Sequence, residues 1–477
     1  MMTPLPSLGP NGATHRPTRL AWSALAAAPQ HAAVELEGAL APAVEGCTTR
    51  ILVPDLACCV GCPPDPAQAV ELLPATAMPA RSGRVRVAGT WQVLPSDDAA
   101  GWRWRIASAR IVGVGAPTGP WMTRRAALAA PLVCVAAACA PAQATAERTA
   151  QARALVDAAA PADLHSHAGR VILGADPNRA LEPLAAPMRD GGMALVALTL
   201  VADSPMIRAE NGRIAAYRQP APGELYRHIQ AAAARAARLV GDQGLFVVTD
   251  RASLRAASSR AQGPAVLIAC EGADFLEGQV ARVQEAFATH RLRHLQLTHY
   301  RVNELGDIQT AEPEHGGLTD FGAQVIRECN RLGIVVDVAH GTTDLVRRAA
   351  EVATKPMVLS HTSLSARPSA RSRQITPAHA RLVAAGGGVI GVWPPATIFP
   401  TLGAYVDGIA QMADVVGIDH VGIGTDMMGL LSASMFATYR DTPRVAEALL
   451  ARGFSAGDAT KVMGGNYLRV LQAVLPG

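Results

Sequence analysis

The sequence predicts an α/β fold, a (β/α)8 barrel preceded by a small mainly-β segment. Three observations carry this prediction. From residue 147 onward, short apolar runs alternate with amphipathic helical stretches. The stretch Gly333–His361 is a β-α-β unit: Ile334-Val-Val-Asp-Val338, a helix that Thr342-Thr-Asp344 can cap, then Met357-Val-Leu359. Such a unit implies parallel strands, because parallel neighbours need a crossover connection. Both strands then run into a histidine, His340 and His361, at the C-terminal edge of the sheet, where α/β barrels place their chemistry.

The elements follow in order. Glu147–Ala160 reads as a helix, and Asp163-Leu-His-Ser-His167 as a strand end. Met193–Leu200 is a buried strand, Glu224–Val240 an amphipathic helix, and Leu245–Val248 and Ala265–Cys270 are strands. Gln279–His290 is a helix, Leu292–Thr298 a strand running into His299, and Thr319–Leu332 a helix with Thr319 as its cap. After the β-α-β unit, Thr376-Pro377 starts a helix with proline in its first turn. Gly388–Trp393, Tyr405–Val416 and His420–Thr425 continue as strand, helix, strand, and two helices close the chain. A doubly wound open sheet is the alternative, but the first strand is not followed by a glycine-rich phosphate loop.

Residues 1–121 differ in character. Arg50-Ile-Leu-Val53, Gly83–Ala88, Thr90–Leu94 and Trp102–Ile106 through Ile111-Val112 are short alternating runs, which predict antiparallel strands in a small β domain, a barrel being one form. No catalytic constellation lies there. Cys59-Val-Gly-Cys62, beside Cys58, is a CxxC without a second pair, so metal binding, a disulfide and free thiols all remain readings of it. Residues 122–146, MTRRAALAAPLVCVAAACAPAQATA, place Arg124-Arg125 before an apolar run and Ala142-Gln-Ala144 after it, in the manner of a twin-arginine export signal. Ala136-Ala-Ala-Cys139 resembles a lipobox with alanine in place of leucine, which makes lipidation of Cys139 a route to membrane attachment. On this reading Met122 is a natural start, residues 1–121 are a fused or mis-joined upstream frame, and residues 147–477 are an exported domain, periplasmic or membrane-anchored. An Ala-rich linker or a buried helix, in a cytoplasmic protein, is the alternative.

Composition narrows the function. Of 477 residues, 49% are hydrophobic and only 17% charged, so the chain can bury a large core. A net charge of +4 is too slight at this length to suggest a nucleic-acid partner. The eight cysteines are too scattered for a disulfide framework.

Five residues at strand ends suit metal ligation: His165 and His167, two apart and so on one face, Glu271 after AVLIAC, and His340 and His361. Five such groups exceed one tetrahedral site and suit two divalent ions sharing a carboxylate.

With these residues in place, the segment from about 160 to 475 resembles the membrane dipeptidase (renal dipeptidase-like) family of zinc peptidases. The matching pieces are DLHSH (163–167), ACEGADFLEG (269–278), LTHYRVN (297–303), GLTDFGAQVIRECNRLGIVVDVAH (317–340), LSHTS (359–363), RSRQIT (371–376), HVGIGTD (420–426) and GGNYLRV (464–470). The resemblance implies a TIM-like metal-dependent hydrolase barrel with two Zn2+. A metal-bridging hydroxide there would hydrolyse dipeptides, those with a C-terminal D-residue included. It implies His165 as a ligand of the first zinc, Glu271 as the bridge, and His340 and His361 as ligands of the second. His299 would contact the substrate carbonyl, Arg373 rather than Arg371 would clamp the C-terminal carboxylate, and Asp426 would carry protons. The family's HxD motif is HxH here, with His167 in the aspartate position. That departure keeps open another amidohydrolase-type activity, on a cyclic amide or lactone. A binding protein on a degraded scaffold is disfavoured because the other expected positions are filled. A homodimer and lipid attachment are the associations left open. Asp337 is expected as a partner of the ligand histidines or a buried core group, and Tyr300 and Asn303 as pocket-lining residues.

Overall fold

The computed structural model describes strand segments 18–20, 33–40, 50–53, 70–74, 83–93 and 104–114, and residues 148–174, 178–210 and 213–477. Cys58, Cys59, Cys62, Cys139 and all of 122–146 lie outside these residues. The chain divides into two compact units, residues 1–131 and 132–477.

The first unit is a β structure. Its strands are β1 (Thr18–Leu20), β2 (Ala33–Leu40), β3 (Arg50–Val53), β4 (Val70–Pro74), β5 (Gly83–Val93) and β6 (Trp104–Val114). They run in the order β1-β2-β3-β4-β6-β5, and β2 also pairs with β5, so the last five strands close on themselves. Most pairings are antiparallel, as expected, but β1 runs parallel to β2 and β4 to β6. Val34, Leu36, Leu52, Val87, Trp91 and Ile106 fill the interior. The GRVRVAGTWQV run predicts two strands but forms one, β5, kept in register with β6 through two irregularities.

In the second unit, helix α1 (148–158) precedes β7 (Ala162–Ser166). Then follow α2 (Ala185–Gly191), β8 (Leu195–Val201), a hairpin of β9 (Ile207–Glu210) and β10 (Arg213–Ala216), α3 (Glu224–Gln243), β11 (Phe246–Val247) and α4 (Arg251–Ser258). The chain continues with β12 (Ala265–Glu271), α5 (Ala281–Thr289), β13 (Leu292–Gln296), α6 (Asp320–Leu332), β14 (Val335–Asp337) and α7 (Thr343–Val352). Last come β15 (Val358–Thr362), α8 (Pro377–Ala385), β16 (Val389–Val392), α9 (Leu402–Val416), β17 (Val421–Ile423), α10 (Thr442–Arg452), α11 (Ala456–Thr460) and α12 (Asn466–Val474). The helices start where capping chemistry puts them: Thr319, Thr342 and Thr376 each accept a backbone N–H three residues on.

Parallel pairing runs β12-β13-β14-β15-β16-β17-β7-β8 and back from β8 to β12. This closed eight-strand ring is a (β/α)8 barrel, and closure excludes the open doubly wound sheet. Two expectations are corrected. The run at Leu245–Val248 gives only two strand residues, and β11 flanks β12 outside the ring. Three helices, not two, end the chain. Leu164, Leu195, Ala197, Leu267, Val335, Val358 and Val389 line the barrel interior, and Tyr467, Val470, Leu471 and Val474 of α12 pack against them. That packing plugs one end of the barrel and leaves the C-terminal strand ends for a site.

The ring has a narrow seam. First strand β7 meets last strand β17 through the aligned pair Asp163 with Ile423, and the pairing continues past β17 in a Ser166–Met427 bridge, where the Asp426 amide donates to the His165 carbonyl (3.0 Å) and the His167 amide to the Met427 carbonyl (2.9 Å). Side chains add to it: buried Asp163 accepts from the Thr425 amide (2.9 Å), the Thr425 hydroxyl (2.6 Å) and the Tyr439 hydroxyl (2.8 Å). Burial pushes the Asp163 carboxyl up to about 6 against these hydrogen bonds.

Candidate metal centre

Glu271, at the end of β12, stands at the centre of the barrel mouth and is 2% exposed. Its two carboxylate oxygens face separate groups of imidazoles. Oε1 lies 3.2 Å from His340 Nε2 and 3.4 Å from His361 Nε2. Oε2 lies 3.5 Å from His165 Nε2, 3.3 Å from His167 Nε2 and 3.3 Å from His299 Nε2. All five expected ligands therefore converge, and His299 joins them.

Backbone irregularities aim two of these side chains. Simple alternation would give His165 the opposite face from inward Leu164. The pairing register of β7 with β8 shifts between Asp163 and Ser166, a bulge that turns His165 inward. A similar shift between Leu359 and Thr362 does this for His361, which follows inward Ser360. His340 and Asp426 sit at φ of 67° and 48°, a left-handed backbone that non-glycine residues adopt at a cost and that clusters at functional sites.

Hydrogen bonds orient the rings. His167 Nδ1 lies 2.8 Å from the Thr199 carbonyl, so Nδ1 carries the proton and Nε2 turns to the centre. The Ser360 hydroxyl lies 3.2 Å from His165 Nδ1 and 2.9 Å from His361 Nδ1, and so spans both groups. His299 Nδ1 is 2.7 Å from Asp203 Oδ1. Ser360, Thr199 and Asp203 were not singled out in the sequence. Asp203 follows the end of a buried strand, the placement that singled out the histidines, but VADSP reads as a turn.

The donor set fits divalent ions. His165 Nε2 is 3.3 Å from His167 Nε2, and His340 Nε2 is 3.1 Å from His361 Nε2, nitrogen facing nitrogen in a buried space. Ligand atoms of three groups cluster closely enough to hold an ion: His165, His167 and Asp426; His165, Glu271 and His361; Glu271, His299 and His340. Burial would raise Glu271, but the imidazoles around it, His299 foremost, hold it well below the usual carboxylate range. Burial would lower His167, yet hydrogen bonds to Asp426 and Glu271 push it up to about 10. Asp426 Oδ1 is 3.3 Å from His167 Nε2, so this corner carries two carboxylates and demands positive charge. On the other side, burial takes His361 down to about 4 and His340 well below the ordinary histidine value, keeping both neutral. Neutral imidazole and ionised carboxylate are the forms that bind metal.

Arg373 is 9% exposed; its Nη1 donates to Gln309 (2.7 Å) and Nη2 to the His361 carbonyl (3.2 Å), while its buried Nε finds no acceptor. Arg371 faces away and pairs with Glu312 on the surface. Tyr300 packs against both the His299 and His340 rings, at 4.6 and 4.8 Å, and so lines the centre. Asn303 does not, since its amide is spent on Asp274 and the Leu297 carbonyl. Asp337 belongs to the core: it accepts from the Ala339 and Ser360 amides and bonds to His294, not to a ligand histidine. Gly429 closes over the His167–Asp426 pair, where a Cβ would stand 2.2 Å from Asp426 Oδ1 and 2.6 Å from His167 Cδ2.

Comparison with known proteins agrees with this geometry. Residues 227–475 match the model of the family described as membrane dipeptidase, peptidase family M19. The dipeptidase verJ of Clonostachys rogersoniana is 30% identical over 189 residues, 38% of this chain and 48% of that protein. The dipeptidase tcpJ of Claviceps purpurea is 31% identical over 220 residues, 44% of this chain and 51% of that one. The chain thus spans about half the length of the relatives it matches by sequence. Among solved structures, the probable dipeptidase PvdM of Pseudomonas aeruginosa superposes with a TM-score of 0.58 at 18% identity, covering 69% of this chain and 98% of that one. A Rhodobacter sphaeroides metallopeptidase, solved with a phosphinate mimic of L-Ala-D-Ala, gives 0.53 at 19% identity, covering 66% and 99%. Over more than half its length, and with its metal-ligand chemistry gathered at one barrel mouth, this chain belongs to the membrane dipeptidase family, peptidase family M19.

Proposed function

We propose that the barrel is a metal-dependent dipeptidase that hydrolyses the peptide bond of dipeptides, including those with a C-terminal D-residue. The observation that carries this reading is the division of histidines between the two oxygens of Glu271. His165, His167 and Oε2 would hold one divalent ion, and His340, His361 and Oε1 a second. Nitrogen-rich donors with one shared carboxylate suit zinc. Such ions, when bound, acidify water and polarise a carbonyl. The protein's own groups do the rest. Asp426, beside His167, takes the proton of the attacking water and returns it to the leaving amine. His299 turns Nε2 toward the same centre and stabilises charge developing on the carbonyl oxygen. Arg373 offers its unpartnered Nε to the substrate carboxylate. Metal analysis with a panel of L,L and L,D dipeptides tests the reading. About two ions per chain and hydrolysis of both stereochemical classes are expected. Activity surviving full demetallation would refute it.

His167 favours a second reading, hydrolysis of a cyclic amide or lactone, because HxH is common in metal-dependent hydrolase barrels of other kinds. Substrates with and without a free carboxylate separate the two. Residues 122–146 we read as an export signal, with Cys139 as a lipidation point, residues 147–477 as the mature enzyme and residues 1–121 as an upstream fusion. Sequencing the mature N-terminus decides this. Among the described residues no helix is long and apolar enough to cross a membrane. Light scattering of the purified protein tests a homodimer.

A further inference from the structure

We propose that Asp203 is a positioning residue for His299, holding its ring by Nδ1 so that Nε2 meets the reacting carbonyl. The proposal rests on the dipeptidase reading above, in which His299 contacts that carbonyl. Asp203 is 0% exposed, and no ion pair of the described residues gives it a lysine or arginine. Burying a carboxylate costs several kcal/mol unless its environment compensates. The compensation here is two N–H donors: His299 Nδ1 reaches Oδ1 at 2.7 Å, and the Tyr300 amide reaches Oδ2 at 3.1 Å. The second bond fixes the rotation of the carboxylate, and thereby the plane in which Oδ1 receives the imidazole. The Tyr300 ring meets the His299 ring edge-on at 62°, closing its flank. With rear and flank held, Nε2 has one direction left, toward Glu271 Oε2 at 3.3 Å.

A histidine buried only for packing would satisfy its nitrogens locally. Here one nitrogen is spent on an acid 96 positions away and the other faces the metal centre. Asparagine cannot replace Asp203. Both oxygens face N–H donors, so an amide would turn its NH2 against one of them, either losing the Tyr300 bond that sets the carboxylate plane or forcing His299 into the other tautomer. Asp203 acts through His299 and is not itself a catalytic residue.

The test compares wild type, D203N, H299N and the double variant, each checked for metal content. D203N is expected to lower kcat about 10- to 100-fold, the usual cost of losing a partner that orients an active-site histidine. Dipeptide KM should move by less than about threefold, and metal content should hold. In the H299N background D203N should cost less than about twofold, since its target is gone. An equal fall in both backgrounds would assign Asp203 a merely structural role and overturn the proposal, as would an unchanged kcat. A second measurement needs neither activity nor a folded D203N. In wild type, a downfield imidazole N–H proton belonging to His299 Nδ1 should be seen by NMR and vanish in H299N; its absence from wild type overturns the inference. If wild type hydrolyses no dipeptide, the dipeptidase reading falls alone, and the NMR signal still decides the Asp203–His299 bond.

Discussion

Removing the Arg373 guanidinium should disable recognition of the substrate's free carboxylate. Two of its nitrogens are already engaged, by Gln309 and the His361 carbonyl, and buried Nε is left to bind an anion. The Trp393 ring, 5.4 Å from the guanidinium carbon, backs the group and keeps water from one face. A hydrogen bond to a charged group contributes about 1.5–3 kcal/mol, and the ion pair in a dry pocket adds to it. Together they predict a loss of about 3–4 kcal/mol for Arg373→Ala, which is two to three decades in kcat/KM. The assay compares a dipeptide with the same dipeptide amidated at its C-terminus. Wild type should prefer the free acid by that factor, and the variant should treat both as wild type treats the amide. Arg373→Lys should recover only part, because an ammonium on a flexible stem cannot reproduce the planar fork. If R373A leaves KM and kcat/KM for dipeptides within about twofold of wild type, the clamp role is wrong. An equal fall on the amidated substrate would assign Arg373 to supporting the His361 backbone instead.

The other predictions concern the centre and its surroundings. Chelation should abolish dipeptide hydrolysis and added zinc restore it, followed by activity and metal analysis on one sample. Glu271→Gln keeps the side chain's shape but not its charge, and should reduce bound metal from about two ions to fewer than one per chain. Gly429→Ala drives a Cβ into Asp426 and His167, so activity should collapse while calorimetry records only the ordinary overpacking cost of about 1–3 kcal/mol. His379, buried and bonded to Thr343, is held down to about 4 by burial and then by the Arg373 charge. The unfolded chain therefore binds this proton first: the contribution of neutral His379 is complete above about 6.5 and is lost as pH falls toward 4, up to about 3 kcal/mol. In demetallated protein, His379→Gln should flatten the melting temperature over that window, and an unchanged slope would refute the assignment.

What could be read from the sequence was what local pattern encodes. His340 and His361 announced themselves because each ends an apolar β-branched run, and His165 and His167 because they are two apart. Glu271 followed from the same rule. The bulges that aim His165 and His361 left no such trace, since a register shift is a property of two strands. Asp203 and Thr199 were invisible for a related reason: each acts on a histidine of another segment that only strand pairing brings near. Ser360 adjoins His361, but its reach to His165 likewise depends on the folded ring. The short β11 shows the opposite failure. Its run Leu245–Val248 looks like a ring strand, but β8 reaches β12 directly and leaves it no place in the circle.

The seam between β7 and β17 would tie the endurance of this protein to the ions its centre binds. One aligned strand pair and the Ser166–Met427 bridge join the first strand to the last, and His167 faces Asp426 across that junction at 3.3 Å. An ion held by His165 and His167 beside that junction would steady it, so metal affinity and resistance to opening there would be linked. Amide exchange at Leu164 and Ile423, compared with and without added metal, would record that linkage.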